Sequence, residues 1–294
     1  MFETLAECPV CSGTSLSNYL ICQDHSVSQE KFAIARCNSC SFLFTNPRPT
    51  SERLPGYYQS QDYISHQNKA TNPVNLLYKF VRYFTLRSKV RLPARYQPVG
   101  ELLDVGCGTG HFLKEAQRSG WSVTGVEPDP RARQLAETNI QNKVHPHPDD
   151  IKGEKYNIIT LWHVLEHVSD LNAYLISLRN LLAKKGTIIV AVPNHNSLDA
   201  THYKEHWAAY DVPRHLYHFD QSTMQKLLAK HKFKIVDTLP MKLDAFYVSL
   251  LSEKYLGNGV KGYINSIING LKSNSYAKKN NSEYSSLIFV IQRK

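Results

Sequence analysis

The stretch LLDVGCGTG, residues 102–110, decides the fold. An apolar run leads into three glycines at alternate positions, Gly106, Gly108 and Gly110, and a helical pattern follows at 111–119. Glycine tolerates positive φ and lets the backbone come close to a bound molecule. A buried strand that ends in such a turn and continues into a helix is typical of sites where a ligand lies beside the helix N-terminus.

A second stretch, WSVTGVEP at residues 121–128, supplies an acidic partner for this turn. Glu127 ends a predicted strand at 122–127. A carboxylate at this distance beyond the glycine turn accepts hydrogen bonds from two vicinal ribose hydroxyls. The pattern leaves two ligands open, a dinucleotide or S-adenosylmethionine. The spacing here is Gly-x-Gly-x-Gly, whereas the dinucleotide fingerprint is Gly-x-Gly-x-x-Gly.

Beyond residue 98, strand-like apolar runs alternate with helical patterns. Strands are predicted at 101–105, 122–127, 156–161, 187–192, 233–238 and 286–292. Helices are predicted at 111–119, 128–138, 169–182 and 222–231. This alternation predicts an α/β domain with a mainly parallel sheet. Residues 240–281 are expected to form a long, basic, partly helical insertion that contains a mobile loop at 273–282.

These motifs resemble those of a known family. LDVGCGTG looks like motif I of class I S-adenosylmethionine-dependent methyltransferases, and VTGVEP looks like the motif that follows it. Residues 156–194, which end in Pro-Asn, resemble the central stretch of the same family, and HVLEHV within them resembles the ubiquinone-biosynthesis-type subgroup. The resemblance covers residues 100–289. It implies a Rossmann-like seven-stranded sheet with helices on both faces, an antiparallel last strand, and S-adenosylmethionine as cofactor.

The resemblance also implies a set of cofactor-binding residues. Asp104 would lie near the methionine amino group, and Glu127 would hold the ribose. Asp150 and Ile151 would flank the adenine. The full expected set is Asp104, Gly106, Cys107, Gly108, Gly110, Glu127, Pro128, Asp150, Ile151, Trp162 and His163.

Methyl transfer from a sulfonium requires the acceptor to be held in line with the methyl group while water is excluded. An oxygen or nitrogen acceptor also needs a base, and histidine is the usual one. The stretch HVLEHV contains His163, Glu166 and His167. We predict His167 as the base, although Glu166 and His167 could equally pin the loop. The related subgroup binds a divalent ion through Glu-x-x-Glu-His; His163 replaces the first Glu, so no magnesium site is predicted.

The stretch HWAAYDVPRHLYHFD, residues 206–220, is dense in polar and aromatic groups. It falls between the fifth strand and the next helix, where the resemblance places the substrate pocket. We predict Tyr210, Arg214 and His215 as substrate-binding residues. Tyr247, on an amphipathic pattern in the later insertion, is a fourth candidate.

Two Cys-x-x-Cys pairs, Cys8 with Cys11 and Cys37 with Cys40, precede this domain and are separated by residues 12–36. The spacing is typical of a four-cysteine zinc ribbon, and four unbound thiols are the alternative. Four thiolates fill the coordination sphere of zinc. The predicted Zn²⁺ is therefore structural and holds together a unit too small for a core of its own.

The sequence thus predicts a zinc-ribbon-like unit at 1–50, a polar and basic helical linker at 51–97, and a methyltransferase domain at 98–294. Insertions are expected at about 194–220 and 240–281. The net charge is +10, which suits an anionic partner. Contact with a membrane surface is expected through 75–95. The chain has no signal peptide pattern and no transmembrane pattern, so a cytoplasmic location is expected.

Three functions remain compatible with these patterns. The first is a methyltransferase for a small-molecule, glycan-precursor or lipid-precursor acceptor. For this function we expect O- or N-methylation rather than C-methylation. A phosphorylated or lipid-linked acceptor would explain the basic segments. The second is a ribosomal-RNA base methyltransferase, since the aromatic and basic residues at 78–91 could stack on bases. The third is a non-enzymatic protein that binds S-adenosylmethionine.

Overall fold

The computed structural model describes residues 1–58 and 86–294. Most of the predicted basic linker, including the predicted membrane contact up to residue 85, lies outside the described residues. The described strands are β1 (Phe2–Glu3), β2 (Leu16–Gln23), β3 (Lys31–Cys37), β4 (Leu43–Thr45), β5 (Arg48–Pro49), β6 (Glu101–Val105), β7 (Ser122–Val126), β8 (Val144–His145), β9 (Tyr156–Trp162), β10 (Leu182–Pro193), β11 (Tyr217–His218), β12 (Phe233–Pro240) and β13 (Ser286–Arg293).

The described helices are α1 (His111–Arg118), α2 (Pro130–Ile140), α3 (Leu171–Leu181), α4 (Leu198–Tyr203), α5 (Gln221–Lys230), α6 (Asp244–Tyr255) and α7 (Gly259–Ala277). Short 3-10 turns connect several of these elements. Across residues 1–58 and 86–294, no helix combines the length and the apolar composition that a membrane-spanning segment needs.

The main sheet has seven strands in the order β12-β13-β10-β9-β6-β7-β8. Strand β6 pairs in parallel with β7 on one side and with β9 on the other, and β7 pairs in parallel with β8. The last strand of the chain, β13, lies between β12 and β10. This order confirms the predicted seven-stranded Rossmann-like sheet.

The interior strands of this sheet are buried because they carry continuous apolar runs. Leu102 and Leu103 of β6 and Ile158 and Ile159 of β9 are fully buried. A parallel strand that is covered on both faces has this composition, whereas a half-exposed strand alternates apolar with polar residues. The same runs predicted strands at 101–105 and 156–161, and these predictions agree with β6 and β9 to within one residue.

The first half of the loop predicted at 273–282 is helical, because α7 continues to Ala277. Ser273 and Ala277 are buried, and the Ser273 hydroxyl donates a hydrogen bond to Asp199 Oδ1 at 2.7 Å. This long-range anchor holds the last turns of the helix. The polar composition of this segment predicted a loop, because the sequence does not show that Ser273 bonds to the buried Asp199.

The described chain forms two compact units. The glycine-turn unit consists of residues 86–164, 172–190 and 290–294, and it contains β6 to β9 with α1 and α2. The cysteine unit consists of residues 1–58, 165–171 and 191–289.

In the cysteine unit, a four-stranded sheet has the order β11-β4-β3-β2. Strand β11 pairs antiparallel with β4, and the Thr45 N–H donates to Leu216 O at 3.0 Å. Strands β1 and β5 form a separate antiparallel pair. The N-terminal strands and the segment around residue 210 share one apolar core, made of Cys22, Phe32, Ile34, Leu43, Tyr57, Ala200, Tyr203, Trp207, Ala208, Ala209, Tyr210, Val212 and Val248.

Candidate active site and metal centre

The glycine turn follows β6 and is closed by hydrogen bonds from Gly106 N and Cys107 N to Val126 O. Gly106 has φ of +70°, and a Cβ there would lie 2.4 Å from Val164 Cγ2. Gly108 has φ of +55°, but no atom of the described residues lies within 4 Å of the position its Cβ would take. The backbone at Gly108 therefore faces open space, which is the condition for a ligand to approach it closely.

The carboxylate of Glu127 lies at the same turn. Its Oε2 accepts a hydrogen bond from Gly108 N at 2.8 Å, and its Oε1 accepts one from Asp129 N at 2.9 Å. Burial raises the pKa of Glu127, and these two backbone N–H groups act against that rise. The two bonds fix the orientation of the carboxylate and leave lone pairs on both oxygens. Such a group can accept hydrogen bonds from vicinal hydroxyls.

Asp104, on β6, is 2 % exposed and accepts a hydrogen bond from the Thr160 hydroxyl of β9 at 2.6 Å. Burial raises its pKa to about 7, although the Thr160 hydrogen bond and the charge of Lys89 oppose the shift. A carboxyl with this pKa is ready to ionise when a cationic group binds beside it.

The end of β9 carries two further predicted residues. The ring of Trp162 packs edge-on against Phe112 at 5.6 Å, and Lys89 Nζ lies 4.6 Å from its centroid. Within the described residues, the buried Trp162 Nε1 has no hydrogen-bond partner. His163 has φ of +58°, which is uncommon outside glycine. An unpaired indole N–H and the bare backbone of Gly108 both fit a polar ligand such as S-adenosylmethionine.

Sequence reasoning missed Lys89, which contacts Trp162 and lowers the pKa of Asp104. Lys89 lies in a helical segment at 86–91, and the sequence indicated it only as one of the basic residues of the predicted linker at 51–97. The structure also describes three other predicted cofactor-binding residues, Asp150, Ile151 and Cys107. Asp150 Oδ2 accepts from His147 N at 3.0 Å and caps a short turn, and Ile151 is buried. Cys107 is buried, which raises the pKa of its thiol and keeps it protonated.

The cysteine unit contains a second group of chemically active residues, Glu166, His167 and His215. Their ligand atoms, a carboxylate oxygen and two ring nitrogens, all lie within 4.8 Å of one another. The two imidazole rings meet edge-on with centroids 4.5 Å apart. The sequence indicated His167 and His215 separately, and the structure brings them together.

Backbone carbonyls define the tautomer of both histidines. His167 Nδ1 lies 3.0 Å from Arg214 O, and His215 Nδ1 lies 2.8 Å from Ala209 O. Because a carbonyl oxygen only accepts, each Nδ1 carries the proton and each Nε2 keeps a lone pair. Burial and the neighbouring His215 lower the pKa of His167 to about 4, so its ring is neutral at pH 7. The cluster therefore suits proton acceptance or coordination of a divalent cation.

Arg214 holds the loop that carries these carbonyls and His215. Its guanidinium is bidentate to Asp211, at 2.6 and 3.0 Å, and also donates to Asp24 Oδ1 and Tyr57 O at 3.0 Å. Burial opposes ionisation of the two aspartates, but hydrogen bonds from Ser28 to Asp24 and from Arg214 to both hold their pKa values below the usual range. The predicted substrate residue Arg214 is thus 6 % exposed and engaged on three of its nitrogens.

The other predicted substrate residues differ in exposure. Tyr210 is buried, and its ring packs edge-on against Trp207 at 5.0 Å and His218 at 5.3 Å. His215 is 9 % exposed, whereas Tyr247 of α6 is 49 % exposed.

The four predicted zinc ligands form one cluster. Their sulfurs lie within 4.8 Å of one another, and the pairs Cys8–Cys40 and Cys11–Cys37 are each 3.5 Å apart. Tetrahedral zinc with Zn–S bonds of about 2.3 Å separates its sulfurs by about 3.8 Å, so the set fits Zn²⁺. No other protein donor is needed to complete four-coordination.

The two cysteine pairs adopt the same turn. The residue after each second cysteine, Ser12 or Ser41, is left-handed, with φ of 59° and 68°. Its N–H donates to the carbonyl of the first cysteine, Cys8 or Cys37, at 2.8 Å. Despite burial, backbone hydrogen bonds from Cys40 and Ser39 lower the pKa of Cys37 to about 7. This backbone arrangement favours a thiolate at Cys37, whereas burial outweighs the equivalent backbone hydrogen bonds at Cys8 and raises its pKa to about 11.

Comparisons with known proteins agree with this fold. A family model described as a methyltransferase domain matches residues 78–238. The ubiquinone biosynthesis O-methyltransferase of Bartonella quintana is 25% identical over 196 residues, which is 57% of this chain and 74% of that protein. The protein of the same name from Bartonella tribocorum is 29% identical over 145 residues. That match is 42% of this chain and 53% of the relative, so the chain spans about half the relative's length.

Solved structures show the same fold at low identity. Magnesium protoporphyrin IX methyltransferase from Synechocystis PCC 6803 has a TM-score of 0.52 at 17% identity, covering 81% of this chain and 97% of that chain. The StiE O-methyltransferase domain has a TM-score of 0.51 at 14% identity, covering 76% of this chain and 78% of that chain. From the sheet order, the glycine turn and the family match, the chain belongs to the methyltransferase domain family and is an S-adenosylmethionine-dependent methyltransferase.

Proposed function

We propose that the chain methylates a hydroxyl oxygen of a small-molecule acceptor. The observation that carries this proposal is the Glu166–His167–His215 cluster, in which one ring nitrogen of each histidine lies within 4.8 Å of a Glu166 oxygen, and each Nε2 keeps its lone pair. A hydroxyl acceptor must lose a proton during methyl transfer, whereas a thiolate acceptor has already lost it. The relatives from Bartonella are named as O-methyltransferases, which supports oxygen as the acceptor atom.

On the cofactor side, S-adenosylmethionine supplies an activated methyl group on a sulfonium. Glu127 is proposed to accept hydrogen bonds from the ribose hydroxyls through the oxygens that Gly108 N and Asp129 N already orient. Asp104 is proposed to receive the ammonium group, and the bare backbone at Gly108 leaves room for close approach. Trp162 offers its unpaired Nε1–H as a donor.

On the acceptor side, His167 Nε2 is proposed to take the hydroxyl proton while the oxygen–methyl bond forms and the sulfur–methyl bond breaks. Its pKa of about 4 leaves this nitrogen unprotonated at pH 7 but makes it a weak base in the free protein, so proton transfer depends on stabilisation of the imidazolium as it forms. Glu166, three residues after His163 in the chain, supplies a negative charge that stabilises the imidazolium formed. Arg214 acts as a positioning residue, since its carbonyl fixes the proton on His167 Nδ1.

The acceptor is proposed to be a phenol, or a related hydroxyl compound, that carries an apolar or phosphorylated extension. The relatives from Bartonella are named for ubiquinone biosynthesis, which supports a phenolic acceptor, and the net charge of +10 suits an anionic extension. The four-cysteine cluster is proposed to hold a structural Zn²⁺ that takes no part in the chemistry, because four thiolates leave no position for water.

Calorimetry with S-adenosylhomocysteine tests the cofactor assignment. Glu127→Ala removes a hydrogen-bonded carboxylate and should weaken binding by about 10- to 100-fold, at roughly 1.5–3 kcal/mol for a charged hydrogen bond. Glu115→Ala on α1 is the control, because Glu115 lies in an exposed ion pair with Arg118. Equal affinity of the Glu127→Ala variant and the parent would refute the ribose assignment.

Methyl transfer to a panel of phenols, catechols and sugar phosphates tests the acceptor. We expect O-methylated product from a phenolic compound, and His167→Ala should lower kcat by about 10²- to 10⁴-fold. His147→Ala, at an exposed histidine, is the control. Activity that EDTA removes and Mg²⁺ restores would assign the cluster to a cation instead of a base. Tight S-adenosylhomocysteine binding without transfer to any hydroxyl would refute the acceptor while the cofactor assignment stands.

A further inference from the structure

In helix α7 the large apolar side chains face outward and the small ones face inward, which is the reverse of an ordinary surface helix. The residues it buries are small: Gly262, Ser266, Gly270, Ser273 and Ala277. The residues it exposes are large and apolar: Val260 (81%), Tyr263 (50%), Ile264 (62%), Ile267 (56%), Ile268 (43%) and Leu271 (57%). A globular helix normally turns its apolar side chains to the core and its polar ones to water.

The packing of α7 prevents rotation that would bury these side chains. A Cβ at Gly270 would lie 2.5 Å from Phe246 Cδ1, and one at Gly262 would lie 3.0 Å from Glu253 Cβ. The backbone of α7 therefore approaches α6 at positions where only small residues fit. The Ser273 hydroxyl, bonded to buried Asp199, fixes the same side of the helix. The outward direction of the apolar side chains is consequently built into the fold.

The exposed apolar side chains form one continuous stripe, which we call the α7 outer face (residues 260, 263, 264, 267, 268 and 271). At about 100° per residue, these positions span an arc of roughly 140°. Lys261 and Lys272 lie beside one edge of the stripe, and exposed Lys278 and Lys279 follow the helix. The sequence of α7 contains no Asp or Glu.

We propose that the α7 outer face binds the surface of an anionic lipid bilayer, with the helix lying in the plane of the interface. A helix with an apolar face, a tyrosine and lysines along the border has the composition of an interfacial helix. The lysines can extend along the apolar surface while their ammonium groups reach lipid phosphates. This surface goes beyond the proposed reaction, and it differs from the membrane contact expected at 75–95.

The charges argue against a second copy of the chain as the occupant. In an antiparallel two-fold dimer formed by this face, the edges that carry the lysines would coincide, and Lys261 of one copy would lie near Lys272 of the other. Each copy also carries a net charge of +10. A bilayer rich in anionic lipid instead offers both an apolar interior for the stripe and opposite charge for the lysines.

Vesicle flotation tests this proposal. The parent chain should float with vesicles of 30% phosphatidylglycerol in phosphatidylcholine and much less with phosphatidylcholine alone. Ile264→Gln with Ile267→Gln should lower binding by about tenfold per substitution, since each removes roughly 1.5 kcal/mol of apolar burial. Ile176→Gln is the matched control, because Ile176 is 53% exposed on α3. Lys261→Glu with Lys272→Glu should abolish the preference for anionic vesicles.

A fluorescent reporter provides a second measurement. In Ile267→Trp, vesicle addition should shift the emission to shorter wavelength, whereas Ile176→Trp should show no shift. Far-ultraviolet circular dichroism checks that each variant is folded, and transfer to a water-soluble phenol separates this proposal from the reaction. Undiminished flotation of the isoleucine double variant would overturn the proposal. A dimer in light scattering that this double variant dissociates, without vesicle binding by the parent, would also overturn it.

Discussion

Asp104 gives the molecule a pH-dependent stability that can be worked out from its environment. The carboxyl is 2 % exposed, and burial raises its pKa from 3.8 to about 7. Between these two values the folded state binds more protons than the unfolded state. The free energy of unfolding therefore falls as the pH rises from about 4 to 7, and it stays lower above pH 7. A shift of about 3 units corresponds to about 4 kcal/mol in total.

Asp104→Asn should remove this dependence while keeping the local contact, because the Asn amide oxygen can accept the Thr160 hydrogen bond. Urea unfolding, followed by circular dichroism at pH 5 and pH 8, measures the effect. Relative to the Asn variant, the parent should lose about 3 kcal/mol between these pH values, since part of the total shift lies below pH 5. Asp149→Asn, at an exposed aspartate of the same unit, is the control.

Ligand binding should show the complementary behaviour. If the ammonium group of S-adenosylhomocysteine binds the ionised carboxylate, its affinity should rise roughly tenfold from pH 6 to pH 8, as a group with a pKa of about 7 becomes ionised. The Asn variant should bind weakly at both pH values. Parallel unfolding curves for the parent and the Asn variant, with equal affinities at pH 6 and pH 8, would refute this account of Asp104.

Three further perturbations test other parts of the molecule. Arg214→Ala should lower the free energy of unfolding by about 3–5 kcal/mol, because Asp24 is left buried without its cation; a loss below about 1 kcal/mol in urea unfolding would contradict this. Cys37→Ser should reduce bound zinc, measured by plasma emission, from about one ion per chain to near zero; retained zinc would exclude the four-thiolate site. Gly108→Val should reduce S-adenosylhomocysteine affinity by more than about tenfold, with a smaller change in the melting temperature than Gly106→Val, whose side chain meets Val164; the reverse order would contradict the open space at Gly108.

The sequence predicted the glycine-turn unit well because its signals are local. An apolar strand, a glycine turn and a helix follow one another at 101–118, and Glu127 comes at the end of the next strand. The predicted helix at 169–182 agrees with α3 to within two residues, and in the cysteine unit the predicted helix at 222–231 agrees with α5 to within one. Apolar runs, turn residues and helical periodicity each extend over only a few neighbouring residues. They can therefore be recognised directly in the sequence.

Strand β8 is an element that the local sequence pattern does not predict. It consists of Val144–His145 alone, and two residues cannot display a period. The loop predicted at 273–282 shows the same limit from the other direction. Its residues up to Ala277 belong to α7, since the Ser273 hydroxyl bonds to Asp199 in a distant part of the chain.

The candidate acceptor site was only partly predictable. The sequence indicated His167, Arg214 and His215 as single residues with separate roles. Only the folded chain places the imidazole of His215 beside that of His167 and assigns both Nδ1 protons to backbone carbonyls. Likewise, nothing near Arg214 in the sequence reveals that Asp24 will be its partner.

The sequence by itself determined six of the seven strands of the main sheet, the glycine turn and the cysteine cluster, because each depends on residue types at short, fixed spacings. The tertiary structure alone decided that β11 joins the N-terminal strands, that Arg214 is buried between two aspartates, and that α7 directs its large apolar residues outward. These outcomes depend on which distant surfaces pack together. The sequence of a helix shows which residues lie on each of its two faces. Which face is buried depends on the element that packs against the helix. Only the small residues of α7 fit against α6.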